Sequence, residues 1–365
     1  MANDADTETP ASLLLWTLLE VSERAARIAR ECRSEKELFE LLVQEKTGKE
    51  RNTRFLHDFK TLADVFIQEM VKHYLTEKFP VLRTHIHGEE TNEFTNAKGH
   101  RIFVEMKSTE GETALLLEQV LDGNARAAAL LAHAAHAEPR VEESVRADFE
   151  RVRPQLRGQE IPLDDIGIWI DPIDGTYEYV RGLWDEDSKG GSSEFGLNCC
   201  TILIGGYRRS SGVPCIGVVS QPFTTPQGGS TISYFSYGNV SSIRRMPLTR
   251  DIVLSSTEDP ETIKKLSEKF TVMHCAGAGY KILNVALGLC NVYVCSKTST
   301  YRWDTCAPHA LLEAQGGGVR QFLTDGPILY NVGDKAAARN AAGIVAYRDA
   351  NVLQKVLTLL RQQAP

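Results

Sequence analysis

The chain of 365 residues sets 41 lysines and arginines against 48 acids, a formal net charge of −7, with 42% hydrophobic and 24% charged residues. That is ordinary globular composition, long enough for two domains or one large α/β unit with a substantial core. It excludes a disulfide-stapled mini-protein and argues against nucleic acid or anionic membrane held by non-specific charge, since each needs a positive face. A small anionic substrate stays open, because bound cations can meet its charge. Eight cysteines, at 32, 199, 200, 215, 275, 290, 295 and 306, form no Cys-x-x-Cys pair and no repeated short spacing, so neither a zinc ribbon nor a disulfide framework is expected. Leu13, Leu14, Leu15, Leu18 and Leu19 cluster near the start, but Asp4, Asp6 and Glu8 stand where a signal peptide is basic. No apolar run nears the ~18 residues of a membrane span. The expectation is a cytoplasmic protein without a targeting segment.

After a polar tail with Pro10, apolar residues at helical spacing over 12–32 predict an amphipathic helix ending in a basic stretch, Arg24, Arg27 and Arg30. Glu35 to Gln44 reads as a second helical run. The charged loop from Lys46 to Arg54 follows, and its Gly48-Lys49 pair lacks the upstream glycine of a phosphate-binding P-loop. A third helix runs from Thr61 to Tyr74 on Leu62, Phe66, Ile67, Met70 and Tyr74, with Thr61 and Asp64 as a capping box and Pro80 closing the segment. Residues 114–137 read as one alanine- and leucine-rich helical stretch, and 138–163 as a polar excursion with Pro139, Pro154 and Pro162.

Ile166 to Ile170 is a short apolar run that reads as a buried strand. Further strands are predicted at Cys199 to Ile204, Ile216 to Val219, Ile232 to Phe235, Ile252 to Leu254 and Val292 to Cys295. Helices are predicted over 260–269, 279–289, 305–315 and 350–361. Cys199 and Cys200, on consecutive strand positions, should face opposite sides and serve packing. The mixture predicts a layered α/β protein with two subdomains meeting near residue 200, an N-terminal unit of 1–200 and a C-terminal unit of 201–365 that together make one catalytic unit.

Three acidic blocks carry candidate chemistry. Asp171-Pro172-Ile173-Asp174-Gly175-Thr176 leaves the end of the buried strand, where open α/β sheets collect ligands. Its two carboxylates suit divalent ions and the amides after Gly175 suit an anion. Equally, it reads as a strand-to-helix turn in which Asp174 caps the helix. Gly88-Glu89-Glu90 reads either as ligands or as a solvated loop, and His85 and His87 have no third partner for zinc. Asp304, in Trp303-Asp304-Thr305, reads either as a ligand or as the N-cap of the helix that stops at Gly316-Gly317-Gly318.

In this order, about 80 and 130 residues apart, these blocks resemble those of the lithium-sensitive, magnesium-dependent inositol monophosphatase superfamily. Phe59 to Asp64 (FKTLAD), Gly88 to Thr95 (GEETNEFT), Gly277 to Lys281 (GAGYK) and Tyr301 to Gly318 resemble its branch that acts on inositol polyphosphates, and the likeness reaches from the first helix to Val345 to Arg348. Stretches 100–160 and 222–250 are less recognisable.

The resemblance implies an αβαβα sandwich of the inositol monophosphatase and fructose-1,6-bisphosphatase type. It also implies a phosphomonoesterase using two or three Mg²⁺ ions to remove the 1-phosphate from inositol 1,4-bisphosphate and inositol 1,3,4-trisphosphate, with Li⁺ or Ca²⁺ as inhibitory occupants. Glu89, Asp171 and the Ile173 carbonyl would hold the first metal, and Asp171, Asp174 and Asp304 the second. Asp64 and Glu90 would surround a weaker third. Thr176, hydrogen-bonded near Glu89, would orient the attacking water, and Asp174 would help protonate the departing oxygen.

For substrate, the resemblance implicates Gly175, Thr176, Thr257, Gly277, Ala278, Lys281 and Thr298, with Ser255 nearby and Lys281 as a point charge for a second phosphate. Lys281 alone would read as a solvated helix lysine. The expected partner is a small-molecule inositol polyphosphate bound by a monomer, with no nucleic acid and no membrane. The competing expectations are a 3′(2′),5′-bisphosphate nucleotidase of the same superfamily and a non-catalytic metal-binding scaffold.

Overall fold

The structure is a computed structural model that describes residues 9–34, 43–45, 59–95, 99–159, 161–186, 192–226, 229–244, 246–333 and 335–361. Alternating side chains along its strands build five layers. In the strand β6 (Ile166–Asp174), Ile168 and Ile170 face one core and Trp169 the other. Its neighbours β7 (Thr201–Arg208) and β8 (Pro214–Gln221) repeat the pattern, with Ile202, Ile204, Ile216 and Val218 on one side and Leu203 and Val219 on the other. The first core is closed by α1 (Pro10–Ser34) and α2 (Leu62–Lys78), the second by α8 (Ala278–Leu287) and α9 (Arg302–Glu313). Beyond them lies a second sheet, whose outer face takes Leu266 of α7 (Pro260–Ser267) and Leu353, Val356 and Leu357 of α10 (Ala350–Arg361). This is the expected αβαβα sandwich.

The first sheet is six-stranded and runs β10-β9-β8-β7-β6-β3, with β3 (Ile86–Gly88), β9 (Ile232–Tyr237) and β10 (Val240–Ser241). The second is five-stranded in the order β12-β11-β13-β15-β14, formed by β11 (Ile252–Leu254), β12 (Val272–His274), β13 (Val292–Cys295), β14 (Gly318–Gln321) and β15 (Ile344–Tyr347). The sheets change over between Ser241 and Ile252, because β7 to β10 continue the antiparallel ladder begun at β6. No helix among the described residues is long and apolar enough to cross a membrane.

Two stretches depart from the sequence reading. The 114–137 stretch is two helices, Glu110–Val120 and Ala125–His136, broken where Asp122 and Gly123 take positive φ and Asn124 caps the second helix. The polar excursion contains a helix, Glu143–Leu156, whose Val145, Phe149, Val152 and Leu156 are buried and whose Pro154 falls in the last turn. Of the second helical run, 35–42 lies outside the described residues, as does the loop 46–54, while Val43–Glu45 pairs as a strand with Phe59–Thr61. Cys199 and Cys200 precede β7 but do face opposite cores.

The position of α9 is fixed by glycine. Gly205 and Gly217 are cross-strand partners in β7 and β8, and an added Cβ would stand 2.4 Å from Ala307 N at the first and 2.3 Å from Ala307 O at the second. The helix backbone therefore lies directly on the sheet, one turn beyond Asp304. Gly205→Ala is expected to destabilise the protein by roughly 3 kcal/mol, since a helix backbone cannot yield as a side chain would. Denaturant unfolding checks this; an unchanged midpoint would show that α9 shifts freely.

Candidate active site

Four elements bring the acids together. Asp171 and Asp174 sit at the end of β6, where the β6–β7 register breaks between them. Asp304 is in the first turn of α9, and Oδ2 accepts from Tyr301 N at 2.6 Å. It is therefore the third helical residue and not the N-cap. One oxygen from each of Asp171, Asp174 and Asp304 lies within 4.8 Å of the others, and all three residues are buried. Asp64 heads α2 in the expected capping box: Thr61 N and Thr61 Oγ1 each donate to Oδ2 at 2.7 Å. Glu89 and Glu90 follow β3, which is held parallel to β6. Glu89 N donates to Ile170 O at 3.2 Å.

Like charges in a dry site raise their own pKa values. Burial pushes the Asp171 carboxyl well above the usual range, and Glu89, Asp174 and Asp304 push the same way. Asp304 is raised well up by burial, then by Asp174 and Glu89. Burial and then Glu90 and Glu89 push Asp64 up to about 8, against its Thr61 hydrogen bonds. Asp171 Oδ1 is buried without a hydrogen-bond partner among the described residues. A buried carboxylate oxygen with no donor, beside two further carboxylates, fits a hard divalent cation that takes oxygen ligands.

Asp174 differs from its neighbours. Its Oδ1 accepts from Ala278 N at 3.1 Å, and its Oδ2 from Gly279 N at 2.9 Å, Tyr280 N at 3.4 Å and Thr201 Oγ1 at 3.2 Å. It thus occupies the positive N-terminus of α8. Burial still raises its pKa, opposed first by Lys281 and then by those amides. The amides of Ala278, Gly279 and Tyr280 all point at Asp174. Gly277 turns the chain into α8 at φ 66°, and a Cβ there would lie 2.9 Å from Asp174 Oδ2 and 2.7 Å from Cys199 O.

Two further residues differ from expectation. Lys281 is buried rather than solvated, and its ammonium donates to Cys275 O at 3.1 Å and Gly277 O at 2.6 Å, which braces the loop. Thr176 Oγ1 donates to Ile173 O at 3.0 Å and not to Glu89, because the tight turn at Gly175 brings that carbonyl back over it. Thr257 and the stretch around Thr298 do converge: Lys297 Nζ donates to Thr257 O and Ser296 Oγ to buried Glu258. Ser255 Oγ lies 3.0 Å from Thr257 Oγ1.

Sequence reasoning passes over Gln68, whose side chain receives Glu90 N at 2.9 Å and donates to Glu90 O at 2.8 Å, fixing the glutamate pair to α2. It also passes over Thr201, and over Lys335, which donates to Glu89 O and lies 5.9 Å from the Trp303 ring centre. Gln68 falls four residues after Asp64 on the same helix face, which is the one signal that could have marked it.

The chain is similar to several known proteins. The sequence is 39% identical over 395 residues to the inositol polyphosphate 1-phosphatase of Mus musculus, covering 96% of this chain and 97% of that one. It is 39% identical over 398 residues to that of Homo sapiens, with the same coverage. The 3′(2′),5′-bisphosphate nucleotidase 1 of Mus musculus is 26% identical over 196 residues, covering 50% of this chain and 58% of that one. In fold, the chain is similar to the extragenic suppressor protein suhB from Bartonella henselae, with a TM-score of 0.56 at 13% identity over 96% of this chain and 100% of that chain. It is also similar to an IMPase/NADP phosphatase solved with Mg²⁺ and phosphate, with a TM-score of 0.50 at 14% identity over 91% of each chain. The model of the inositol monophosphatase family matches residues 15–353, and the chain belongs to that family.

Proposed function

We propose that this chain is a Mg²⁺-dependent, lithium-inhibited phosphomonoesterase that removes the 1-phosphate from inositol 1,4-bisphosphate and inositol 1,3,4-trisphosphate by direct attack of water. The observation that carries the metal site is the buried Asp171–Asp174–Asp304 group with its unpartnered Asp171 Oδ1. The near full-length likeness to inositol polyphosphate 1-phosphatases supports the substrate class.

Asp171, Asp174, Asp304 and Glu89, with the Ile173 carbonyl, are the residues that would hold the ions. Asp64 and Glu90 would serve a weaker position, open to Li⁺ or Ca²⁺. Bound Mg²⁺ supplies positive charge for the phosphoryl oxygens and an acidified water near neutral pH. The rest falls to the protein. Thr176, fixed by its bond to Ile173 O, holds its hydroxyl at the turn and orients water there, while Gly175 and Thr176 offer amides to the phosphate. Asp174, held in place by the α8 amides and Thr201 Oγ1, would help protonate the departing inositol oxygen. Lys281 supports the Gly277–Ala278 loop against the ring, and Thr257 and Thr298 add hydroxyls. No phosphoenzyme is needed, since no Ser, Cys or His lies in a nucleophile motif. The two sheets act as one catalytic unit in a cytoplasmic monomer.

Raised carboxyls make stability depend on pH with a definite sign. Asp64 binds its proton up to about 8 in the folded chain, but only to about 4 when unfolded, so its contribution is complete below about 4 and is lost as pH rises through about 8. Asp171 and Asp304 act in the same direction. In chelator, the melting temperature should therefore fall between about pH 5.5 and about pH 8.5, and Mg²⁺ should raise it more at the higher value. Asp171→Asn should melt higher than wild type in chelator at the higher pH and gain less from Mg²⁺. Equal Mg²⁺ gains at both values in scanning calorimetry would contradict a site built from these acids.

Phosphate release from inositol 1,4-bisphosphate tests the reaction. It should require Mg²⁺, fall with Li⁺ and drop at least ~10³-fold in Asp171→Asn. Faster turnover of adenosine 3′,5′-bisphosphate would favour the nucleotidase reading, and no release from either would favour a non-catalytic scaffold.

A further inference from the structure

Among the buried acids outside the metal group that take no part in the reaction just described are Glu178 on α6 (Thr176–Arg181) and Asp185, exposed by only 7% and 5%. Each accepts a backbone amide from one short segment, Ser192 to Asn198. Glu178 Oε2 receives Gly196 N at 2.7 Å, and Asp185 Oδ2 receives Glu194 N at 2.8 Å. Asn198 completes the arrangement by accepting Asp185 N at 3.0 Å. Hydrogen bonds to a buried carboxylate are strong, so they fix the segment firmly.

The other side of that segment grips the start of α8 at two points. Glu194 O accepts from Ala276 N at 2.9 Å, and Ser193 N donates to Tyr280 Oη at 2.9 Å. These points flank Gly277, the positive-φ turn, and the three amides that hold Asp174. The contacts thus form a closed ring: from Asp174 along the chain to Glu178, across to the 192–196 backbone, on to Ala276 and Tyr280, and back through the α8 amides to Asp174.

We infer that Glu178, Asp185 and Tyr280 are positioning residues that set the orientation of the Asp174 carboxylate by clamping the first turn of α8, without touching substrate or metal themselves. The inference rests on the reading of Asp174 as an active-site group. A permissive glycine leaves the 277–280 turn without intrinsic stiffness, and the clamp supplies it. A misplacement of well under 1 Å at such a carboxylate costs activity more than binding.

Amide hydrogen exchange and steady-state kinetics on the full chain test this together. In Glu178→Ala and Tyr280→Phe, the Ala278, Gly279 and Tyr280 amides should exchange faster, while those near Val285 in the same helix stay as in wild type. With Mg²⁺ and inositol 1,4-bisphosphate, kcat should fall about tenfold with KM changed less than about threefold. Glu178→Gln, which keeps the acceptor oxygen, should match wild type in both readouts. Tyr280→Phe keeps the buried ring and covers the case in which Glu178→Ala does not fold. Unchanged exchange at 278–280, or Glu178→Gln as impaired as Glu178→Ala, would overturn the clamp. Faster exchange at those amides, in a wild type that releases no phosphate, would uphold the clamp and refute the phosphatase reading instead.

Discussion

Everything about the site depends on one unfavourable interaction: carboxylates of Asp171, Asp174 and Asp304 packed within 4.8 Å of one another and shielded from water. Left alone, such a group lowers stability at neutral pH, and it persists because the surrounding structure over-determines it. The protein relieves Asp174 with the α8 amides and the nearby Lys281, and Asp64 with Thr61. It leaves Asp171 Oδ1 with no donor among the described residues. That uneven relief suits a cation site and sets Asp171 apart from structural acids such as Glu178 and Asp185, where backbone amides donate to Glu178 Oε2 and Asp185 Oδ2.

The scaffold meets this requirement by bringing backbone, rather than long side chains, to the acids. Gly205 and Gly217 let α9 rest on the first sheet, which sets Asp304 beside the end of β6. Gly277 lets the start of α8 turn in against Asp174. Two of the five layers, the first sheet and the layer of α8 and α9, therefore meet at the acidic end of β6.

The acids were legible as short blocks because each stands at an element boundary that periodicity can find: the end of the Ile166 strand, the cap of the Thr61 helix and the start of the Trp303 helix. The buried strand was legible too, since Ile166 to Ile170 is a short, nearly unbroken apolar run, whereas the order of the layers came only with the family resemblance. What was not legible depends on tertiary closure. Nothing local says that Lys281 turns inward, and a lysine on a helix ordinarily stays in water. The break at Asp122-Gly123-Asn124 was hidden by the strong helical propensity on either side, and the helix 143–156 by its prolines and charges. Gln68, Thr201 and Tyr280 act through partners 22, 27 and 87 residues away, beyond any spacing rule.

The net charge of −7 says little about this protein's partners, whereas the local concentration of acids says a great deal. A cation bound there inverts the sign of the site and makes it complementary to phosphate. The most direct test counts ions without reference to turnover: titration of the full chain with Mn²⁺, the free ion followed by electron paramagnetic resonance. The account predicts that wild type depletes free Mn²⁺ with at least two ions bound per chain, that Mg²⁺ competes, and that Asp171→Asn loses most of this binding while staying folded. Free Mn²⁺ rising identically with wild type, variant and buffer alone would contradict it.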